Sequence, residues 1–223
     1  MRTPTWLSWS SGKDAALALR AVSDDPALEV VGLLTTLNGE AERVAMHAVR
    51  RELLEAQAAA LSLPLHAVDL PSPCPNEVYE ARMAAALATA RAAGVARIVF
   101  GDVALADVRA YREAQLAGTG VAPVFPLWQR PTDALAAEII DAGIRAVVTC
   151  VDPAQVPAAL VGRAYDAAFL ADLPAGADPC GENGEFHTFV CDAPSFSRPV
   201  PVEVGDVVER GGFVYCDLVP AGP

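Results

Sequence analysis

Apolar residues along this chain fall in short unbroken runs, each followed by a longer segment in which they recur at helical spacing. The first run lies in TWLSWSSGKDAALAL (Thr5–Leu19): Trp6, Leu7 and Trp9 read as a buried strand that stops at Ser10-Ser11-Gly12. Lys13-Asp14 then open an Ala/Leu-rich helix. Leu28–Leu37 reads as a second buried strand, ended by Asn38-Gly39-Glu40. Met46–Leu61 follows as a helix with Met46, Val49, Leu53, Leu54, Ala58 and Leu61 on one face. Leu65–Leu70 is a short strand, and after Pro71–Pro75 the residue Asn76 is placed to cap a helix running to about Ala93. Val95–Phe100, stopping at Gly101-Asp102, and Val121–Phe125 read as strands around a helix at Ala104–Leu116. Thr132 is placed to cap Asp133–Ala142, and Ile144–Val151 is expected to be the last parallel strand.

Strands alternating with helices of this length predict βαβ units and an α/β fold: a doubly wound, mostly parallel sheet. Beyond Asp152 the pattern changes. Pro153–Leu173 supports at most a short helix, Pro174–Gly184 is loop, and from Phe186 short β-prone runs alternate with Pro and Gly breaks. That is antiparallel in character. The expected organisation is a nucleotide-binding unit at 1–152 and a small β-rich C-terminal subdomain at 153–223.

Composition narrows the partners. With 53% hydrophobic residues in 223, the chain has ample material for a core. No charge-free apolar run has bilayer length and no signal pattern opens the chain, so a cytoplasmic protein without a membrane partner is expected. The net charge of −12, from 16 basic and 28 acidic residues, disfavours nucleic acid as a main partner. Arg43, Arg50 and Arg51 are the densest basic group, and a helix face accounts for them. The five cysteines (74, 150, 180, 191, 216) form no C-x-x-C pair, which predicts reduced, mostly structural thiols. A β-rich C-terminal edge leaves a homodimer possible.

In open α/β sheets ligands bind beyond the carboxyl ends of the strands, at the switch in strand order. This selects Ser10–Asp14, Thr35–Asn38, Gly101-Asp102 and Thr149–Asp152. A strand-to-helix turn of small residues points first-turn N–H groups at an anion, and Lys13 adds a full charge, so phosphate is the natural guest. The turn is not a Walker A loop, because Leu7 stands where its first Gly belongs and Asp14 replaces the Ser/Thr after Lys. The same residues also suit an ordinary helix start with a solvated Lys–Asp pair. Asp14, Asp102 and Asp152 are candidates for Mg²⁺ beside a triphosphate, with turn capping the competing role, favoured for Asp152. The segment DPCGENGEFHTFV (Asp178–Val190) packs Glu182, Asn183, Glu185, His187 and Thr188 between glycines. Strand alternation puts Phe186 and Thr188 on one face and Glu185 and His187 on the other, where they suit a cationic substrate or proton transfer; a surface hairpin also fits. His47 has no comparable company, and His66 reads as a partly buried strand residue.

Ser10-Ser11-Gly12-Lys13-Asp14-Ala15 resembles the SGGKDS pyrophosphatase loop, with Ser11 and Ala15 as departures. Ser11 matters if that backbone needs a positive φ. Together with GENGEFHTFV, and with RVAMHAVR, VFGDV, RAYRE, FPLW and VVTCVDP between, the chain resembles the diphthine–ammonia ligase family from about Trp6 to Val219. The resemblance implies an adenine nucleotide alpha hydrolase-like (HUP) fold with ATP and Mg²⁺. It also implies adenylation of a carboxylate followed by ammonia transfer. It would give Ser10, Ser11, Gly12 and Lys13 to the pyrophosphate and Asp14, with Asp102, to Mg²⁺. Thr35 and its neighbours, with Gly101, would go to the nucleotide, and Glu182, Asn183, Glu185, His187 and Thr188 to the acceptor. Lys13 and Asp14 are the implied catalytic pair. A thiolating RNA enzyme is disfavoured by the missing C-x-x-C and the acidic charge. A non-catalytic nucleotide-binding protein and a plain ATP pyrophosphatase stay open.

Overall fold

The near-continuous apolar runs are central strands covered on both faces, and they set the layout of the first sheet. The computed structural model describes residues 1–39, 42–44 and 48–222. Strand β1 (Thr3–Ser8) pairs in parallel with β2 (Leu28–Asn38) on one side. On its other side it pairs in parallel with β5 (Arg97–Val99). The short strand β3 (Arg43–Val44) closes antiparallel on the end of β2, and β4 (Leu65–Leu70) runs parallel along it. On the far edge β6 (Ala122–Val124) is parallel to β5. The five parallel strands therefore stand in the order β4-β2-β1-β5-β6, with the switch between β1 and β5.

Residues alternate faces along these strands, and two cores result. Leu7, Leu33 and Val99 face helix α1 (Lys13–Ser23) and α2 (Arg51–Leu61), within a cluster that continues into the C-terminal part. Trp6, Leu34 and Ile98 face the other way, against Leu87 and Ala90 of α3 (Asn76–Ala92) and Leu116 of α4 (Ala106–Leu116). Helices on both faces make the sheet doubly wound, as expected. His66 stacks on Trp6 with ring centroids 3.9 Å apart, and desolvation pushes its pKa below the ordinary value.

The second sheet differs from expectation in one strand. After α5 (Thr132–Asp141), β7 (Arg145–Val151) does not join the parallel sheet. It lies antiparallel between β8 (Phe186–Asp192) and β10 (Phe213–Pro220), with β9 (Val202–Arg210) outside β10. An apolar run buried on both faces reads alike in either kind of sheet, so its pairing was not visible in the pattern. Hydrogen bonding thus groups β7 with the strands that follow residue 152. A short 3₁₀ turn (Ala158–Leu160) and α6 (Ala167–Ala171) fill the connection.

Three smaller expectations are corrected. Asn76 and Thr132 are the first residues of their helices, with Pro75 and Pro131 at the cap positions. Arg43 and Arg50 do not share a helix face: both bind Asp217 of β10, at 2.8 and 2.6 Å. Helix α2 begins at Arg51, whereas Met46 and His47 lie outside the described residues. All five cysteines are free thiols, and among the described residues no helix is long and apolar enough to cross a membrane.

Candidate active site

Gly101 shows how tightly the switch point is built. A Cβ at this position would stand 3.0 Å from the backbone carbon and oxygen of Asp14, so only glycine lets the end of β5 close on the start of α1. Beyond that contact lies a cavity of about 520 Å³. Its walls come from Ser8 at the end of β1 with Ser10, Lys13 and Asp14 after it; Gly101 and Asp102 after β5, with Leu105 and Arg112 of the segment that follows; and Cys180 to Gly184 with Phe186 to Thr188. The residues expected to bind phosphate and those of the GENGEFHT segment are brought together here.

The β1–α1 turn is held from outside. Ser11 has φ +72°, the left-handed conformation that costs a non-glycine residue, and its hydroxyl is buried without a hydrogen-bond partner among the described residues. Its carbonyl accepts from Val190 N–H at 2.9 Å and from Gln57 Nε2 at 3.1 Å. Gln57, fully buried, also donates to Val190 O at 2.7 Å and accepts from Trp9 Nε1 at 2.8 Å. No side chain of the turn caps α1. Thr188 Oγ1 instead accepts from Lys13 N–H at 3.2 Å, so β8 supplies the cap.

Lys13 is buried, and its ammonium is engaged: Asp14 lies at 3.0 Å, the Cys180 carbonyl accepts a hydrogen bond, and the rings of Phe186 and Tyr165 lie 5.3 and 5.5 Å away. Burial works against its charge, but Asp14 and the other nearby groups outweigh it, so its pKa sits above the ordinary lysine value. The residue expected to face phosphate also ties the first helix to the loop that covers it.

That loop is knotted by its own side chains. Glu185 is buried and does not line the cavity, contrary to expectation. It accepts from Asp178 N–H at 2.8 Å and from the backbone and side-chain amides of Asn183, both at 2.9 Å. Desolvation raises its pKa, but these bonds outweigh it and hold the carboxyl below the usual value. The alternation that predicted its outward face begins only at Phe186, where β8 starts. Asp178 accepts from Thr132 Oγ1 at 2.8 Å and Cys180 N–H at 2.7 Å, and the Tyr165 hydroxyl donates to Pro179 O at 2.7 Å.

Of the other expected residues, His187 faces the cavity, whereas Thr35 is buried with its hydroxyl donating to Trp9 O at 2.6 Å. Asp152 caps a turn, accepting from Ala154 N–H at 2.9 Å and Gln155 Nε2 at 2.8 Å. Sequence reasoning missed Gln57 and Tyr165, and gave no role to Arg112 although it lies in the RAYRE stretch. Gln57 also left a signal, as a lone amide among the Leu and Ala of α2.

Asp14, Asp102 and Glu182 bring three carboxylates to this cavity. Removal from water, then the charge of Asp14, pushes Glu182 up to about 7, with Lys13 and the Ala104 N–H opposing. A carboxyl raised partly by a carboxylate neighbour marks surplus negative charge that a hard cation offsets. The donors fit Mg²⁺, which takes one or two carboxylates and completes its shell with substrate oxygens and water. Among the described residues no three His, Cys, Asp or Glu form a complete metal-binding group.

The diphthamide synthase N-terminal domain matches residues 3–121, and the diphthamide synthase C-terminal domain matches residues 131–216. The chain belongs to the diphthamide synthase family. The cavity lies where the two matched regions meet, between the turn after β1 and the loop before β8. Diphthine–ammonia ligases of Bos taurus and Homo sapiens are each 33% identical to it over 101 residues, 43% of this chain. The aligned stretch spans 38% of the length of each of these relatives.

Proposed function

We propose that the protein is an ATP-dependent, AMP- and pyrophosphate-forming amide ligase acting on a carboxylate-bearing substrate, either a small metabolite or a modified protein side chain. The observation that carries this reading is the convergence of two polar segments on one cavity: the β1–α1 turn and the Cys180–Thr188 loop. A nucleotide-binding protein needs the first; a second substrate needs the other.

In the first step an oxygen of the substrate carboxylate bonds to the α-phosphorus of ATP. The bond from that phosphorus to the bridging oxygen breaks, and pyrophosphate leaves with the electron pair. Ser10 and the start of α1 receive the departing anion, and Lys13, with its raised pKa, stays charged beside it. In the second step the nitrogen of ammonia bonds to the acyl carbon, the acyl–oxygen bond breaks, and AMP leaves. Glu182, with a pKa near 7, takes the proton that the nitrogen sheds. Asp14 and Asp102 would hold Mg²⁺, which when bound neutralises charge on the phosphate oxygens.

One observation favours a second reading, a nucleotide-binding protein without transfer chemistry: the Lys13 ammonium is already engaged by Asp14 and the Cys180 carbonyl. Turnover of ATP with Mg²⁺, ammonium and a pool of carboxylate metabolites separates the two. AMP and pyrophosphate formed only with a carboxylate present, and abolished in Lys13→Ala, are expected for the ligase. ATP binding without turnover under every condition sinks it, and carboxylate-independent AMP formation makes the protein a plain pyrophosphatase.

A further inference from the structure

A second cavity of about 520 Å³ adjoins the first. It runs back over the sheet between Leu34, Thr35 and Thr36 after the middle of β2 and the apolar side chains of Met83, Leu87 and Val108. Ser8, Ser10, Phe100, Leu105, Arg112 and His187 border both cavities. Arg112 is the one lysine or arginine among these shared residues; Lys13 borders only the first.

The Arg112 guanidinium has a defined plane and an unused donor. It lies 4.9 Å from the Phe100 ring centroid, and Phe100 is itself stacked on Phe125 at 5.5 Å. Arg109 sits 4.7 Å from the rings of both Phe125 and Trp128, which fixes the stack from the far side. Asp102 lies 3.6 Å from Arg112 Nε, an ion pair but too long for a hydrogen bond. Nε is sealed from solvent and has no hydrogen-bond partner among the described residues. A buried donor left this way is costly unless something returns the bond.

Charge around the junction identifies the guest. Asp14, Asp102 and Glu182 load the first cavity with negative charge and the Lys13 ammonium is already shared, so a phosphate held at the junction calls for a further cation, which Arg112 supplies. A planar fork with spare donors suits phosphate oxygens better than a point charge does. A nucleotide with its base in the apolar cavity and its outer phosphates at the β1–α1 turn has its first phosphate at the junction. Resting on the ligase reading above, we infer that Arg112 is a catalytic residue whose guanidinium binds the α-phosphoryl group. It holds the phosphorus that the carboxylate attacks and remains on that group in the acyl-adenylate and in AMP.

Calorimetric titration of the wild type, Arg112→Gln and Arg112→Lys with AMP, adenosine and pyrophosphate tests this. Arg112→Gln is expected to weaken AMP by about tenfold to a hundredfold, the worth of charge-assisted hydrogen bonds, with adenosine and pyrophosphate unchanged. Arg112→Lys is expected to fall between, since it keeps the charge and loses the fork. If Arg112→Gln does not fold, Arg112→Lys decides: weaker AMP with unchanged adenosine supports the role, and unchanged AMP overturns it. Adenosine weakened as much as AMP also overturns it, because Arg112 would then only shape the cavity through Phe100. A wild type that binds neither AMP nor adenosine overturns the nucleotide reading itself. A wild type that binds AMP, with Arg112→Gln binding it equally well, overturns this inference alone.

Discussion

Glu182 is pushed up to about 7 in the cavity, and the shift has consequences for stability. Its folded pKa of about 7 exceeds the ordinary carboxyl value of 4.5, so between these two the folded state holds the proton more tightly than the unfolded chain. The contribution to stability is therefore full below 4.5 and is lost as pH rises toward 7. Glu182→Gln, which cannot ionise, escapes that loss. It should melt at a higher temperature than the wild type at about pH 8 and at a similar temperature at about pH 4. If Glu182 is also the base for ammonia, the acid limb of the wild-type rate should fall near pH 7 and disappear in Glu182→Gln. Melting curves with the same pH dependence in both proteins would remove Glu182 as the strained group. Sequence alone picked out Glu182 and Glu185 together and had no means to separate them. The difference arises because Glu185 turns inward onto three N–H donors, whereas Glu182 receives one backbone N–H, from Ala104, at 3.2 Å. Ser11 was more legible: replacement of the loop glycine pointed to a position where the backbone conformation matters, and the positive φ is there.

At the scale of elements, local signals located strands and helices to within a few residues and said little about what each lies against. β1, β2, β4 and β5 could be placed by their apolar runs, and the turn after β1 by its small residues. The partners of β7 could not, because its buried neighbours come from residues 186–192 and 213–220. Helix α2 gives the same lesson through one residue. Its periodicity marked an apolar face, yet the member of that face with most to do is Gln57. A Trp N–H can only donate and the two carbonyls can only accept, so the amide is fixed with its oxygen toward Trp9 and its nitrogen toward Ser11 and Val190. Gln57→Leu keeps the volume and leaves those three groups without this partner. The expected cost is about 2–4 kcal/mol, read from the shift in urea midpoint. Amide exchange at Ser11–Lys13 should quicken as the β1–α1 turn loses its support. A cost under about 1 kcal/mol, with exchange unchanged, would show that the turn is held by Val190 and Thr188 without the amide.

Across the whole molecule the two sheets are joined on two sides. On the cavity side the joints are Val190 N–H to Ser11 O, Lys13 N–H to Thr188, and the Gln57 amide. On the other side Asp217 of β10 receives Arg43 from β3 and Arg50 from the residue that precedes α2. This clasp spans 167 residues between Arg50 and Asp217, which is why the three clustered arginines read as a helix face in the sequence. Its electrostatics are testable. The Arg50 hydrogen bonds, against opposing desolvation and helped by Arg43, hold the Asp217 pKa down to about 2 from the ordinary 3.8. A depressed carboxyl contributes stability above its unfolded value and loses it as pH falls toward the folded one. Asp217→Asn should therefore cost on the order of 1 kcal/mol at neutral pH, discounted because Arg50 and Arg43 are about a third exposed. The gap between variant and wild type should narrow as pH drops from 3.8 toward 2, and 1 M salt should shrink it at neutral pH, since screening reaches partly exposed pairs. A gap that persists unchanged at about pH 2 would mean that the asparagine disturbs packing of β10 rather than charge. The cavity residues lie on the opposite joint, so ATP turnover per folded molecule should be the same in Asp217→Asn as in the wild type.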